Sequence, residues 1–153
     1  MQNIAAIYGN TIFWLDETHF KIPDTKTNPK YRMPFCHQSV FVRTELLKKH
    51  KFDTRFRICA DNDFFTKIYN DGARFWDCGL VISIYNAYGI SSTPSWRFFK
   101  EELAIGQKYN RFYFISFGIK YCIMFIKYTI KRILPKKLSL AIQSRYKAKS
   151  NAI

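Results

Sequence analysis

Hydrophobic residues follow two rhythms along this chain: short apolar runs broken by turn residues up to about residue 94, and helix-length stretches after it. NIAAIYG, residues 3–9, is a brief apolar run ending at glycine, which suits a buried strand. NTIFWLD (10–16) continues that strand or pairs with it. Residues 18–32 are polar and contain Pro23 and Pro29, which predicts a loop. HQSVFVR (37–43) reads as a strand, TELLKKH (44–50) as a short helix, and KFDTRFRIC (51–59) as a connector. A helical pattern then runs from Asp61 to about Tyr69 and closes at Asn70-Asp71-Gly72, where glycine can take positive φ. RFWDCGLVISIYNAY (74–88) supplies one or two strands, and the turn-rich residues 86–94 are expected to leave the domain. Strands and helices alternating at this spacing predict an α/β sheet with flanking helices.

From Ser95, a plausible N-cap, the pattern is helical. A first segment sets Phe98, Phe99, Ala104 and Ile105 where they can pack. A second, residues 111–134, stops at Pro135. On a helical wheel Ser116, Lys120, Lys127 and Lys131 fall within about 60° of one another, and almost everything else on this helix is Phe, Tyr, Ile or Met. Each lysine at mid-bilayer costs roughly 2.5–3.5 kcal/mol, which disfavours a spanning helix. A helix lying in a membrane interface, cations at the headgroups and aromatics below, fits the pattern. A helix packed on a partner or on the core is the alternative.

Composition sharpens this division. The 153 residues suffice for one domain, and 48% hydrophobic with 18% aromatic content indicates packed material. Net charge is +14, but residues 1–94 hold 12 Lys/Arg against 9 Asp/Glu, while residues 95–153 hold 13 against 2. The expected organisation is therefore a nearly balanced domain over 1–94 and a basic, aromatic-rich helical tail over 95–153. Such a tail attracts phosphate, of an anionic membrane or of nucleic acid. Because its cations share a helix with a broad apolar face and no reader motif is present, a nucleic-acid partner is not expected. Cys36, Cys59, Cys78 and Cys122 form no CxxC pair and meet no histidine at zinc spacing, so they read as free thiols in a reducing, cytoplasmic setting.

Candidate chemistry gathers where Asp61 and Asp63 open a helix in CADNDFFTKIY. One reading makes Asp61 an N-cap, with Asp63 favouring the positive helix end. The other makes one acid a catalytic base held on a rigid element.

The order of motifs in this region resembles bacterial family 2 glycosyltransferases of the GT-A fold. His37-Gln38, Phe52-Asp53, Ala60-Asp61-Asn62-Asp63 and Gly89-Ile90-Ser91-Ser92 match pieces of the family's second half in sequence order. Tyr8-Gly9-Asn10 matches its "yGd" strand, with Asn10 where Asp is common, and the likeness covers about residues 3–93. The resemblance implies a partial GT-A-like (Rossmann-like) sheet and inverting transfer of a sugar from a nucleotide-sugar donor to a polysaccharide or lipid-linked acceptor. It implies Asp61 as the base, with His37, Gln38 and Asp63 as substrate-binding residues. Gly89, Ser91 and Ser92 read as turn formers. It further implies Mg2+ or Mn2+ in the complete enzyme, at a D-x-D belonging to a first half this chain lacks. Asp61-Asn62-Asp63 itself opens a helix rather than ending a strand, and no metal is assigned to it. The expected partners are the glycan acceptor, an anionic membrane surface through residues 111–134 at the inner face of the membrane, and a missing N-terminal half or a second copy. A truncated enzyme and a catalytically inactive interaction module are both compatible with these residues.

Overall fold

Ile4–Asp16 runs as one thirteen-residue strand, β1, so the two apolar segments at the front of the chain are continuous. The structure, a computed structural model, describes residues 4–16, 19–21, 27–86 and 95–133. Gly89, Ser91 and Ser92 lie outside the described residues. A second long strand, β4 (Arg74–Asn86), lies parallel along one side of β1, from Ile4↔Arg74 to Trp14↔Asn86. The other side of β1 is shared by two short antiparallel strands. One is β3 (Val40–Val42), beside residues 6–8, and the other is β2 (His19–Lys21), beside residues 13–16. Strand β2 falls inside the stretch expected to be loop. Three edge residues are too few to show a period-2 pattern among prolines and charges.

Between Tyr8 and Asn10 the long strands change register, because Tyr8 pairs with Asp77 and Asn10 with Val81. The extra residues of β4 pass through Gly79 at φ +70°, where glycine alone is unstrained. Asp77 Oδ1 accepts the Gly79 N–H at 2.9 Å, and the Asn10 side-chain amide donates to the Gly79 carbonyl at 3.1 Å. Gly9 serves the same bulge sterically, since a Cβ there would overlap the Leu80 carbonyl oxygen.

Strand alternation sorts the sheet into two faces. Ala6, Tyr8, Val40, Val42 and Phe75 turn to a core completed by Phe35, Phe64, Phe65 and Ile68. Phe35 meets Phe65 and Phe75 edge-on, with ring centroids 4.8 and 5.4 Å apart. The opposite positions Phe41, Ile7 and Trp76 pair across three strands and are exposed. Helix α1 (Thr44–His50) has the bounds its sequence suggests and adds Leu46 and Leu47 to the core. Helix α2 (Ala60–Asn70) supplies Phe64, Phe65 and Ile68. It ends in a Schellman motif, with Gly72 at φ +96° and the Gly72 and Ala73 N–H groups bonded to Tyr69 and Ile68 carbonyls.

Helix α3 (Trp96–Gln107) begins as its sequence indicates, with Ser95 Oγ accepting the Phe98 N–H at 3.1 Å. It buries Glu101, Glu102, Ile105 and Gly106, and a Cβ at Gly106 would overlap the Tyr113 ring. The chain divides into two compact units at residues 113 and 114, so α3 lies with the sheet and not with the tail that follows. The second unit contains almost all of helix α4 (Tyr113–Ile133). Phe114, Ile115, Ile119, Ile123, Phe125 and Ile126 are exposed on it, as are Ser116 and Lys120. The side chains of Lys127 and Lys131 lie outside the described residues. Among the described residues no helix is long and apolar enough to cross a membrane.

Candidate functional site

Five elements meet around a cleft of about 270 Å³. Its walls include Phe13 from β1, Asp61 from α2, Tyr85 from β4 and Phe98 from α3, with His37 and Gln38 from a 3-10 turn. That turn, His37–Ser39, occupies the start of the stretch expected to be strand, and only Val40–Val42 pairs. Its cause is a buried hydroxyl cluster. Ser39 Oγ lies 2.5 Å from Thr11 Oγ1 on β1 and 2.6 Å from Ser83 Oγ on β4, which pins the turn to the sheet. Within the turn the Cys36 thiol donates to Gln38 Oε1, which orients the amide.

Asp61 does not occupy the N-cap position. Helix α2 starts at Ala60 with Cys59 as its N-cap, and Cys59 makes no side-chain cap bond. Asp61 is the second helical residue, and its two oxygens have separate tasks. Oδ1 accepts the Asn62 N–H at 2.7 Å, so it still satisfies a first-turn donor. Oδ2 lies 3.0 Å from His37 Nδ1. Both side chains keep solvent contact, 25% for Asp61 and 46% for His37. Between the two acids, Asn62 is buried and its Oδ1 accepts the Met33 N–H at 2.8 Å, which holds the preceding loop against α2.

Asp63, read with His37 and Gln38 as substrate-binding, is placed elsewhere. Two residues along a helix turn a side chain to roughly the opposite side. Asp63 is buried and paired with Lys108 Nζ, which also stands 4.6 Å over the Phe56 ring. The carboxylates of Asp61-Asn62-Asp63 therefore do not converge on one point, and among the described residues no group of three His, Cys, Asp or Glu side chains could hold a metal ion. The Mg2+ or Mn2+ that the resemblance implies was assigned to a different D-x-D, not to these residues.

Two further charged residues line the cleft, Arg32 and Glu102, with Arg32 Nη1 3.2 Å from Glu102 Oε1. Glu102 is only 1% exposed, and the Arg32 guanidinium faces it there. Next to it in sequence, Glu101 accepts three consecutive backbone N–H groups, Arg57 on Oε1 and Ile58 and Cys59 on Oε2, at 2.9–3.1 Å. Arg97 Nε donates to Oε1 at 2.9 Å. Burial acts to raise the Glu101 pKa, but the donors from Ile58, Arg57, Cys59 and Arg97 outweigh it and hold the carboxyl below its ordinary value. Cys59, a cleft residue, is pushed up to about 12 by burial first and then by Glu101, Glu102 and Asp61. It cannot serve as a nucleophile at neutral pH.

The cleft thus offers a carboxylate with one oxygen toward an imidazole, a carboxamide, and three aromatic rings beside them. Aromatic surface with a few polar groups set among it is the usual lining of a small-molecule cleft. A larger recess of about 400 Å³, with Tyr8, Tyr69, Phe75 and Asp77 in its walls, holds, among the described residues, one carboxylate and no histidine beside it. Sequence reasoning placed Asp61, His37 and Gln38 together and missed Phe13, Tyr85, Phe98, Arg32 and Glu102. One signal was present: Glu101 and Glu102 are the only acids in residues 95–153, and an adjacent pair in so basic a segment has a specific task. Compared with known proteins, the chain matches no family model, no curated sequence and no solved structure, so the chemistry of this cleft rests on its own residues.

Proposed function

We propose that the cleft is the acceptor side of an inverting glycosyltransferase of the family 2, GT-A type. Asp61 takes the proton of an acceptor hydroxyl while that oxygen attacks the anomeric carbon of a nucleotide-sugar donor, whose bond to the diphosphate breaks to release the nucleoside diphosphate. The observation that carries this reading is the 3.0 Å approach of Asp61 Oδ2 to His37 Nδ1 in a cleft walled by Gln38, Phe13, Tyr85 and Phe98. The motif order and the α/β sheet agree with it. Gln38 and the aromatic walls bind the acceptor sugar.

Acceptor binding is tested on the chain itself, by titrating polysaccharide fragments and lipid-linked sugar analogues while following NMR signals of the cleft. Saturable shifts at Gln38, Asp61 and Tyr85 support the reading, and a cleft that answers to none of these glycans counts against it. Transfer is then followed in the complete enzyme, with the donor-binding half supplied, as acceptor-dependent release of nucleoside diphosphate. Asp61→Asn should remove about 10²–10⁴ of that rate while acceptor binding persists.

The same 3.0 Å contact favours a second reading, in which Asp61 orients the imidazole and His37 takes the proton. His37→Gln then costs more than Asp61→Asn. Equal binding with that reversed order of losses would transfer the base role to His37.

For location, we propose peripheral attachment at the inner face of a membrane through α4. Its exposed Phe and Ile side chains, with Lys120 and the basic sequence around it, suit an anionic interface. Removing residues 114–153 should release the protein from anionic vesicles in flotation, and a shortened chain that still floats would refute the attachment.

A further inference from the structure

Helix α2 begins without a cap of its own. Cys59 at the N-cap has no side-chain cap bond, and the turn that leads into the helix would otherwise present Arg57, Ile58 and Cys59 N–H groups to a partly buried space. All three are taken by one carboxylate, Glu101, which comes from α3 and lies 42 to 44 residues further along the chain. Glu101 is 7% exposed, and Arg97 braces its Oε1 from one helical turn back. Two residues after Cys59 stands Asp61, whose Oδ1 sits on the Asn62 N–H and whose Oδ2 faces His37.

We propose that Glu101 is a positioning residue for Asp61: by gripping the 57–59 turn it fixes where α2 starts, and so fixes the Asp61 carboxylate in the cleft. A carboxylate accepting three parallel backbone donors sets the direction of that turn more tightly than one side-chain cap bond does, because both oxygens are constrained. The grip comes from the helix that also supplies Phe98 and Glu102 to the cleft wall. One helix therefore shapes the cleft and seats its acid. An unbraced first turn frays readily, and a fraying turn would carry Asp61 away from His37. The catalytic consequence rests on the proposed role of Asp61 as base, whereas the positioning itself does not.

The test is amide NMR on the full chain, comparing wild type with Glu101→Gln. A glutamine keeps the size but offers one oxygen and places an NH2 against backbone donors. Positioning predicts exchange at least tenfold faster at the Arg57, Ile58 and Cys59 amides than the change seen in β1 and β4. It also predicts an upfield move of the Asn62 amide proton as its bond to Asp61 Oδ1 loosens. Uniform acceleration across the sheet with an unmoved Asn62 signal would mean ordinary stability loss and overturn the proposal. Should Glu101→Gln fail to fold, Arg97→Ala keeps the carboxylate and removes only an exposed brace. Coordinated shifts at residues 57–59 and Asn62 then support the positioning, and shifts at 57–59 that stop short of Asn62 overturn it. Once transfer is measured, Arg97→Ala should lower kcat several-fold with acceptor KM unchanged. Surviving transfer in Asp61→Asn would instead remove the base role and leave the NMR result standing.

Discussion

Helices α3 and α4 follow one another in a segment that looks uniform in composition, basic and rich in aromatic residues, yet the structure uses them in opposite ways. Helix α3 buries polar groups. Glu101 and Glu102 lie under 10% exposed, with partners in the 57–59 turn and in Arg32. Helix α4 exposes apolar ones, including Ile119 and Phe125 at 58% and 68%. A net charge averaged over residues 95–153 conceals this difference, because the two acids that the average swamps are the residues that tie α3 to the sheet unit. Buried charge needs a built partner, so it marks where a helix is docked, whereas exposed hydrophobicity marks a surface still to be met.

The comparison can be broken most severely at Arg32. Arg32→Met removes the guanidinium facing a nearly inaccessible Glu102 carboxylate. Allowing for the 37% exposure of Arg32, the expected loss is about 3 kcal/mol in urea unfolding. An unchanged midpoint would show that Glu102 does not need this partner. Next in size is Glu101→Gln, with an expected loss of about 2 kcal/mol from weakened charge-assisted bonds.

That second loss should depend on pH, and the sign follows from the depressed Glu101 pKa. Unfolded chains bind a proton at this glutamate near the ordinary value of about 4.3, while the folded protein binds it only at lower pH. Across that window the unfolded state holds more protons, so stability rises with pH. The contribution of Glu101 is complete above the unfolded value and is lost as pH falls through the folded one. Wild type and Glu101→Gln should accordingly converge in denaturant midpoint on acidification below about pH 4. A gap that persists there would mean packing, not charge, separates them.

The smallest effect on stability is expected on α4. Ile119→Ser should leave unfolding of the sheet unit within about 0.5 kcal/mol of wild type, as for exposed positions generally. The same substitution should weaken binding to anionic vesicles, since one isoleucine contributes roughly 1.5–3 kcal/mol when its surface leaves water. Strong destabilisation of the sheet unit would erase the contrast between the two helices.

What the sequence revealed follows the range of the interactions involved. The bounds of α1, the Ser95 cap of α3 and the Gly72 stop of α2 were legible because each depends on residues within one or two turns. That His37 and Asp61 serve one site was suggested only by the resemblance in motif order, and their 3.0 Å contact was not foreseen. The start of α2 was legible to within one residue, Asp61 expected and Ala60 found, but what holds that start was not. Asp61 looked like a cap because it stands just before an apolar helical pattern, whereas the turn leading into α2 is held by Glu101 on a later helix. The 3-10 turn at His37 was likewise decided by distant hydroxyls, Thr11 and Ser83, that reach Ser39 from two strands.

Cys59 sits inside the Glu101 grip, with its amide bonded there and its thiol buried. A sulfhydryl held near 12 is almost wholly protonated at neutral pH, so an alkylating reagent can consume it only during the moments when the turn lets go. Cys122, exposed on α4, needs no such moment. The chain consequently carries a clock and its reference in two sulfur atoms. The ratio of their alkylation rates, read peptide by peptide in a mass spectrometer, reports how often the helix that carries Asp61 loosens, without any substitution.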